Sequence, residues 1–165
     1  MLSRWMRIVA VTLAVAAAPT ATAGDGWRVV DAAGGVRFGG TGMMPVALTR
    51  DQELPGDAWI ETSANGRVVL AREQETIVVE PNSRVMLPSE KVNGNTQVLQ
   101  TLGSALYKIG KQKKPHFQVD TPYMAAIVKG TAFVVKVEDD EASVEVTEGL
   151  VEVSTPGQSD MEFVR

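Results

Sequence analysis

From Leu54 onward, turn-forming residues interrupt this chain about every 8 to 12 residues, and the segments between them are short and rich in valine and isoleucine. The runs are Ala58 to Thr62, Arg67 to Ala71, Thr76 to Glu80, Ser83 to Leu87, Gln97 to Leu102, Ala105 to Ile109, His116 to Asp120, Ala125 to Val128, Ala132 to Glu138, Ser143 to Thr147 and Leu150 to Ser154. LPGD, ANG, EPNS, VNGN, TP and EGL separate them, each supplying the Gly, Pro, Asn or Asp that a tight turn needs. The even spacing of such short runs predicts an all-β single domain of many short strands: a sandwich, jelly roll or β-roll.

Alternation within the runs assigns an inner face. Phe117 and Val119 alternate with His116 and Gln118, Phe133, Val135 and Val137 with Lys136 and Glu138, and Val144 and Val146 with Glu145 and Thr147. A strand turns successive side chains to opposite faces, so these apolar residues are expected to share one core. No long stripe with helical spacing exists, and only Thr101 to Ile109 would accommodate a helical turn.

The N-terminus carries a different signal. Arg4 and Arg7 precede an apolar run from Ile8 to Ala18 and then Ala21-Thr22-Ala23, the pattern of a cleavable secretory signal peptide over residues 1–23. The run is short of the ~20 residues a spanning helix needs, so no stable membrane insertion is expected and the localisation implied is periplasmic. With no cysteine in the chain, an N-terminal lipid anchor, disulfides, zinc-thiolate sites and thiol nucleophiles are excluded. Cleavage would remove two of the 16 basic residues and none of the 20 acidic ones, and 14 − 20 leaves −6, which disfavours nucleic acid as a partner. The remaining 142 residues (165 − 23) suit one core. Residues 24–53 form a glycine-rich segment expected to hold one or two strands, 54–154 the main β domain and 155–165 a tail.

Lys129-Gly130-Thr131 interrupts an apolar run and superficially suggests a phosphate loop or a catalytic lysine. A phosphate loop needs amides converging at a helix start, and none follows. Gly130 is therefore read as a bulge or bend between two strands, and Lys129 as a scaffold residue. Gly34, Gly35, Gly39, Gly40 and Gly42 likewise match no nucleotide-binding register.

No catalytic constellation emerges. His116 is the single histidine, too few for a transition-metal site, and its strand phase predicts an outward, solvated ring. There is no G-x-S-x-G elbow. Glu138 to Glu141 lack the spacing of a calcium loop and read as a solvated hairpin tip, with Lys111, Lys113 and Lys114 as a basic counterpart that could steer a partner. Trp59, Tyr107 and Tyr123 are candidates for carbohydrate or peptide contact, although burial is the commoner fate of rings in strands.

The segment from Leu102 to Ser154 resembles the FecR domain family of bacterial envelope proteins. Its motifs are Phe117-Gln118-Val119-Asp120-Thr121-Pro122, then Gly130-Thr131-Ala132-Phe133-Val134-Val135, then Val144 through Glu148-Gly149 to Val153. Upstream, Gly56-Asp57 and the strands that follow are similar to the family's early portion, with Gln74 and Glu75 where a glycine turn is common. The resemblance implies an all-β periplasmic domain without catalysis or cofactor. In the best-known members this domain relays a signal from an outer-membrane receptor to a cytoplasmic sigma factor. The sequence is expected to lack the anti-sigma segment, spanning helix and receptor-docking domain of those members, so anti-sigma activity does not carry over.

Two classes of function follow. The first is a non-catalytic binding or adaptor module recognising an envelope protein or glycan. The second is a small glycan-acting enzyme using two of Glu61, Glu73 and Glu75, which would need a fixed carboxylate separation across a cleft. A structural component of an envelope assembly is a further alternative. The sequence does not specify an oligomeric state.

Overall fold

The computed structural model describes residues 26–155 and 161–165; the expected signal peptide lies outside them. Valine, whose branched side chain fits a pleated surface, is the commonest residue in the strands. In chain order these are β1 (Arg28–Ala33), β2 (Val36–Gly39), β3 (Val46–Ala47), β4 (Trp59–Thr62), β5 (Arg67–Arg72), β6 (Glu75–Val79) and β7 (Arg84–Met86). Then come β8 (Thr96–Ile109), β9 (Phe117–Asp120), β10 (Ala125–Val128), β11 (Ala132–Val137), β12 (Ala142–Glu148), β13 (Val151–Ser154) and β14 (Met161–Val164).

The fold is all-β, and its organiser is β8. Residues Thr96–Leu99 pair in parallel with β9, while Gly103–Ile109 pair antiparallel with β6 and β11. One strand therefore belongs to two sheets. The first sheet runs β1-β5-β6-β8-β11-β12; the second runs β14-β13-β10-β9-β8-β7-β4-β2-β3. The change of sheet falls at Gly103, whose φ of +79° places it in the left-handed region and whose missing Cβ makes room for Ser83 Oγ, 2.2 Å from where that atom would stand. The two runs expected on either side of Gly103 are thus one strand, and Thr101 to Ile109 take no helical turn.

The inner faces share one core that contains Phe117, Val119, Phe133 and Val135, all fully buried. Val144 and Val146 pack against it but are only half-buried, because β12 is an edge strand with no strand hydrogen-bonded beyond it among the described residues. Tyr107 sits at the centre, its ring 5.3 Å from Phe133 and 5.9 Å from Phe117. Its hydroxyl donates to Gln100 Oε1 at 2.8 Å, and Gln100 Nε2 donates to the carbonyls of Gly103 and Val135. The Tyr107 hydroxyl and the Gln100 amide thereby keep partners in the core, and burial pushes the phenol well above its ordinary pKa.

Residues 26–53 hold three strands, and the expected tail holds β14, which extends the second sheet beside β13. His116 is buried, not solvated: it precedes β9, its backbone bonds Thr96 and Val128, and its Nδ1 lies 3.3 Å from the Lys114 carbonyl. Strand alternation does not govern His116, because the chain is still crossing between sheets there and β9 begins only at Phe117.

Candidate binding surface

Three segments cross between the sheets side by side, and the family motifs lie on them. Residues 110–116 lead from β8 in the first sheet to β9 in the second, Lys129-Gly130-Thr131 lead from β10 to β11, and Gly149-Leu150 lead back from β12 to β13. Gly130 has φ +143°, and a Cβ on it would stand 2.5 Å from Lys111 Cα. Gly149 has φ +100°, and its Cβ would stand 2.9 Å from the Gly130 carbonyl oxygen. Thr131, buried, donates its hydroxyl to the Leu150 carbonyl at 2.9 Å. The crossings approach this closely at Gly130 and Gly149, where no Cβ intervenes. A cleft of about 620 Å³ lies beside this corner, lined by Lys108, Lys111, Thr147 and Glu148 among others, with Lys111 and Glu148 paired at 3.2 Å.

The remaining motif residues also hold turns. Thr121 Oγ1 accepts from the amides of Tyr123 and Met124 and donates to the Met124 carbonyl, closing the β9–β10 turn next to exposed Pro122. Asp57, at φ 56°, accepts from the Ser89 amide at 3.2 Å, and Gly56 lies so close to Ser89 that a Cβ would stand 2.2 Å from that residue's own. Phe117, Val119, Phe133 and Val135 are core residues, as above. None of these residues gathers into a reaction centre.

Two of the candidate carboxylates are bridged by one cation: Lys91 Nζ lies 2.7 Å from Glu73 Oε2 and 3.7 Å from Glu75 Oε1. Glu75 is buried, with Oε2 accepting from Arg72 Nη2 at 3.0 Å and Oε1 from the Thr96 hydroxyl at 2.7 Å. Glu73 is exposed and takes a 2.7 Å hydrogen bond from Lys91, which holds its pKa below the ordinary glutamate value although partial burial opposes the shift. Glu61 lies on β4 opposite Arg37 and Arg84. Among the described residues no three His, Asp or Glu side chains form a metal-binding group, and no helix is long and apolar enough to cross a membrane.

Of the three candidate contact aromatics, Tyr107 is buried and Tyr123 bonds the Asp139 carbonyl through its hydroxyl. Trp59 lies on the outer face of the second sheet over Gly39, with the Arg84 guanidinium 5.1 Å from its ring. That outer face carries what the sequence reading missed. Met86, Val92, Leu99 and Phe163 are exposed there. Leu99 could have been noticed, since Val98-Leu99 puts apolar residues in both phases of one strand.

Comparison with known proteins agrees with this architecture. Two crystal structures of a "putative anti-sigma factor" from Parabacteroides distasonis ATCC 8503 superpose with a TM-score of 0.57 at 21% identity, covering 64% of this chain. The match spans 50% of that protein, so this chain corresponds to half of it, and at such identity the likeness is one of fold. No curated protein matches the sequence. The profile of the FecR protein family matches residues 58–152, more than half of the chain and every strand from β4 to β12, and the chain belongs to that family.

Proposed function

We propose that this chain is an exported, non-catalytic adaptor domain of an envelope signalling system that recognises an extended segment of a partner protein along β12. Family membership supports the regulatory, non-enzymatic character. Arg4, Arg7, the apolar run and Ala21-Thr22-Ala23 support export to the periplasm. The observation that carries the binding mode is that β12, seven residues long, is hydrogen-bonded to β11 on one side only among the described residues. Such an edge offers a row of backbone donors and acceptors, and an added strand satisfies them while its side chains meet half-buried Val144 and Val146.

A protein partner fits better than a glycan. Sugar recognition favours an open aromatic platform, whereas Tyr107 is buried, Tyr123 is engaged through its hydroxyl and Trp59 is capped by Arg84. The engagement of both Glu75 oxygens by Arg72 and Thr96 weighs against Glu75 as a catalytic base.

A photo-crosslinking residue at Ser143 or Thr147, both exposed on β12, should capture one envelope protein, and the same probe at Ala64 in the β4–β5 turn should not. Equal capture from Ala64 would remove the edge from the proposal. N-terminal sequencing of the exported protein should begin at Gly24.

A further inference from the structure

The outer face of the second sheet carries two apolar patches of opposite charge. Along one cross-strand row, Trp59 is opposite Met86 and Met86 opposite Leu99. Met86 and Leu99 are 44% and 37% exposed, and with Val92, 63% exposed, they line a hollow of about 300 Å³ rimmed by Asp57, Glu90 and Asp120. Farther across, Gln118 is opposite Ile127, Ile127 opposite Glu152 and Glu152 opposite Phe163, which is 59% exposed. Ile127, Leu150 and Phe163 line a second hollow, of about 190 Å³, where Lys113, Lys114 and Lys129 outnumber the one lining carboxylate, Glu152, and leave the rim net positive. These lysines make no ion pair with any described residue, and all three are exposed.

We infer that this face binds a second copy of the same chain across a two-fold axis. The two patches are complementary in charge. A two-fold axis lying between two facing sheets, parallel to the faces and passing between the patches, sets the acidic-rimmed patch of each copy on the basic-rimmed patch of the other. The same contact then forms twice, which is the requirement of a closed isologous dimer. Apolar floors supply buried area and the rims supply orientation, since like patches would place carboxylate against carboxylate and lysine against lysine. From β4 to β14 the face is seven strands wide, about 29 Å at the usual spacing, broad enough for an interface of about 800 Å² per partner. Lys129, a scaffold residue on sequence grounds, becomes part of the contact. The inference is independent of the β12 proposal, because β12 is the edge strand of the other sheet.

Sedimentation of the purified protein tests it. The wild type should show a monomer–dimer equilibrium that strengthens with concentration and weakens as salt is raised. Lys113→Glu with Lys129→Glu makes both patches acidic; Glu90→Lys with Asp120→Lys makes both basic. Each variant alone should dimerise at least about tenfold more weakly, and an equimolar mixture should recover a heterodimer, because each copy then presents what the other lacks. Recovery on mixing also shows that neither variant is misfolded. A wild type that stays monomeric at about 100 µM, or variants that dimerise as the wild type does, or a mixture that fails to associate while both variants melt normally, would each overturn the inference.

Discussion

Arg72 and Glu75 face each other across the two-residue β5–β6 turn, their side chains 3.0 Å apart and almost completely shielded from water. The turn is made by Glu73, at φ 50°, and Gln74, where a glycine would be common. Arg72 also donates to the Thr96 hydroxyl at 2.6 Å and lies 4.6 Å from the centre of the Trp27 ring, so this one ion pair ties the first sheet to the start of β8 and to the N-terminal segment.

Removing Arg72 takes the close partner from a buried carboxylate and leaves it only Lys91, at 3.7 Å, and the Thr96 hydroxyl. Arg72→Met should therefore destabilise the fold by about 3 to 5 kcal/mol, and Arg72→Met with Glu75→Leu should recover most of the loss, since apolar replacement of both partners removes the desolvation penalty. Urea unfolding of the two variants beside the wild type measures this. A double variant no more stable than the single one would mean that the pair itself holds the hairpin.

Core position predicts a graded response along one sheet. Phe133, fully buried and stacked on Tyr107, should cost about 3 to 5 kcal/mol on truncation to Ala. Val144 lies opposite Val135 in the next strand but is only half-buried, so Val144→Ala should cost about 1 kcal/mol. Equal losses in denaturant melts would contradict the assignment of β12 as an open edge.

Most of the strand framework was legible because period-two alternation and turn residues are local signals. Phe117, Val119, Phe133 and Val135 could be assigned inward from their neighbours alone. The sharing of β8 between two sheets was not legible, since a glycine between two apolar runs reads equally as a turn or as a bend within one strand, and only the non-local pairing with β6, β9 and β11 decides at Gly103. His116 was misread for a related reason: alternation has meaning only inside a strand, and this residue stands one position before β9. The exposed patches around Met86 and Phe163 were invisible because they are assembled across strands distant in sequence.

The Glu73–Lys91 contact predicts a weak dependence of stability on pH. Lys91 depresses the Glu73 pKa below 4.5, so the stabilisation is present above that value and disappears as pH falls through the folded-state pKa. Half-exposed and screened by salt, the pair should contribute under about 1 kcal/mol. Wild type and Glu73→Gln should differ slightly at neutral pH and converge in acid, a comparison made by urea melts across that range. A gap that widens toward low pH would mean that the carboxylate is not held in its charged form by Lys91.

The last prediction separates backbone from side chain within Lys129-Gly130-Thr131. Gly130 has a φ of +143° that L-residues rarely adopt, and the space its Cβ would enter is filled by the backbone of Lys111, which cannot swing aside as a side chain could. Gly130→Val should therefore cost about 2 kcal/mol or more, through strain and the parting of two chain crossings. Lys129 is exposed and makes no ion pair among the described residues, so at a concentration low enough to keep the protein monomeric Lys129→Gln should leave the melting temperature within a degree or two of wild type. The two variants, melted side by side, have opposite expected outcomes. If Gly130→Val melts normally while Lys129→Gln is strongly destabilised, the lysine side chain and not the glycine backbone holds the corner where the sheets meet.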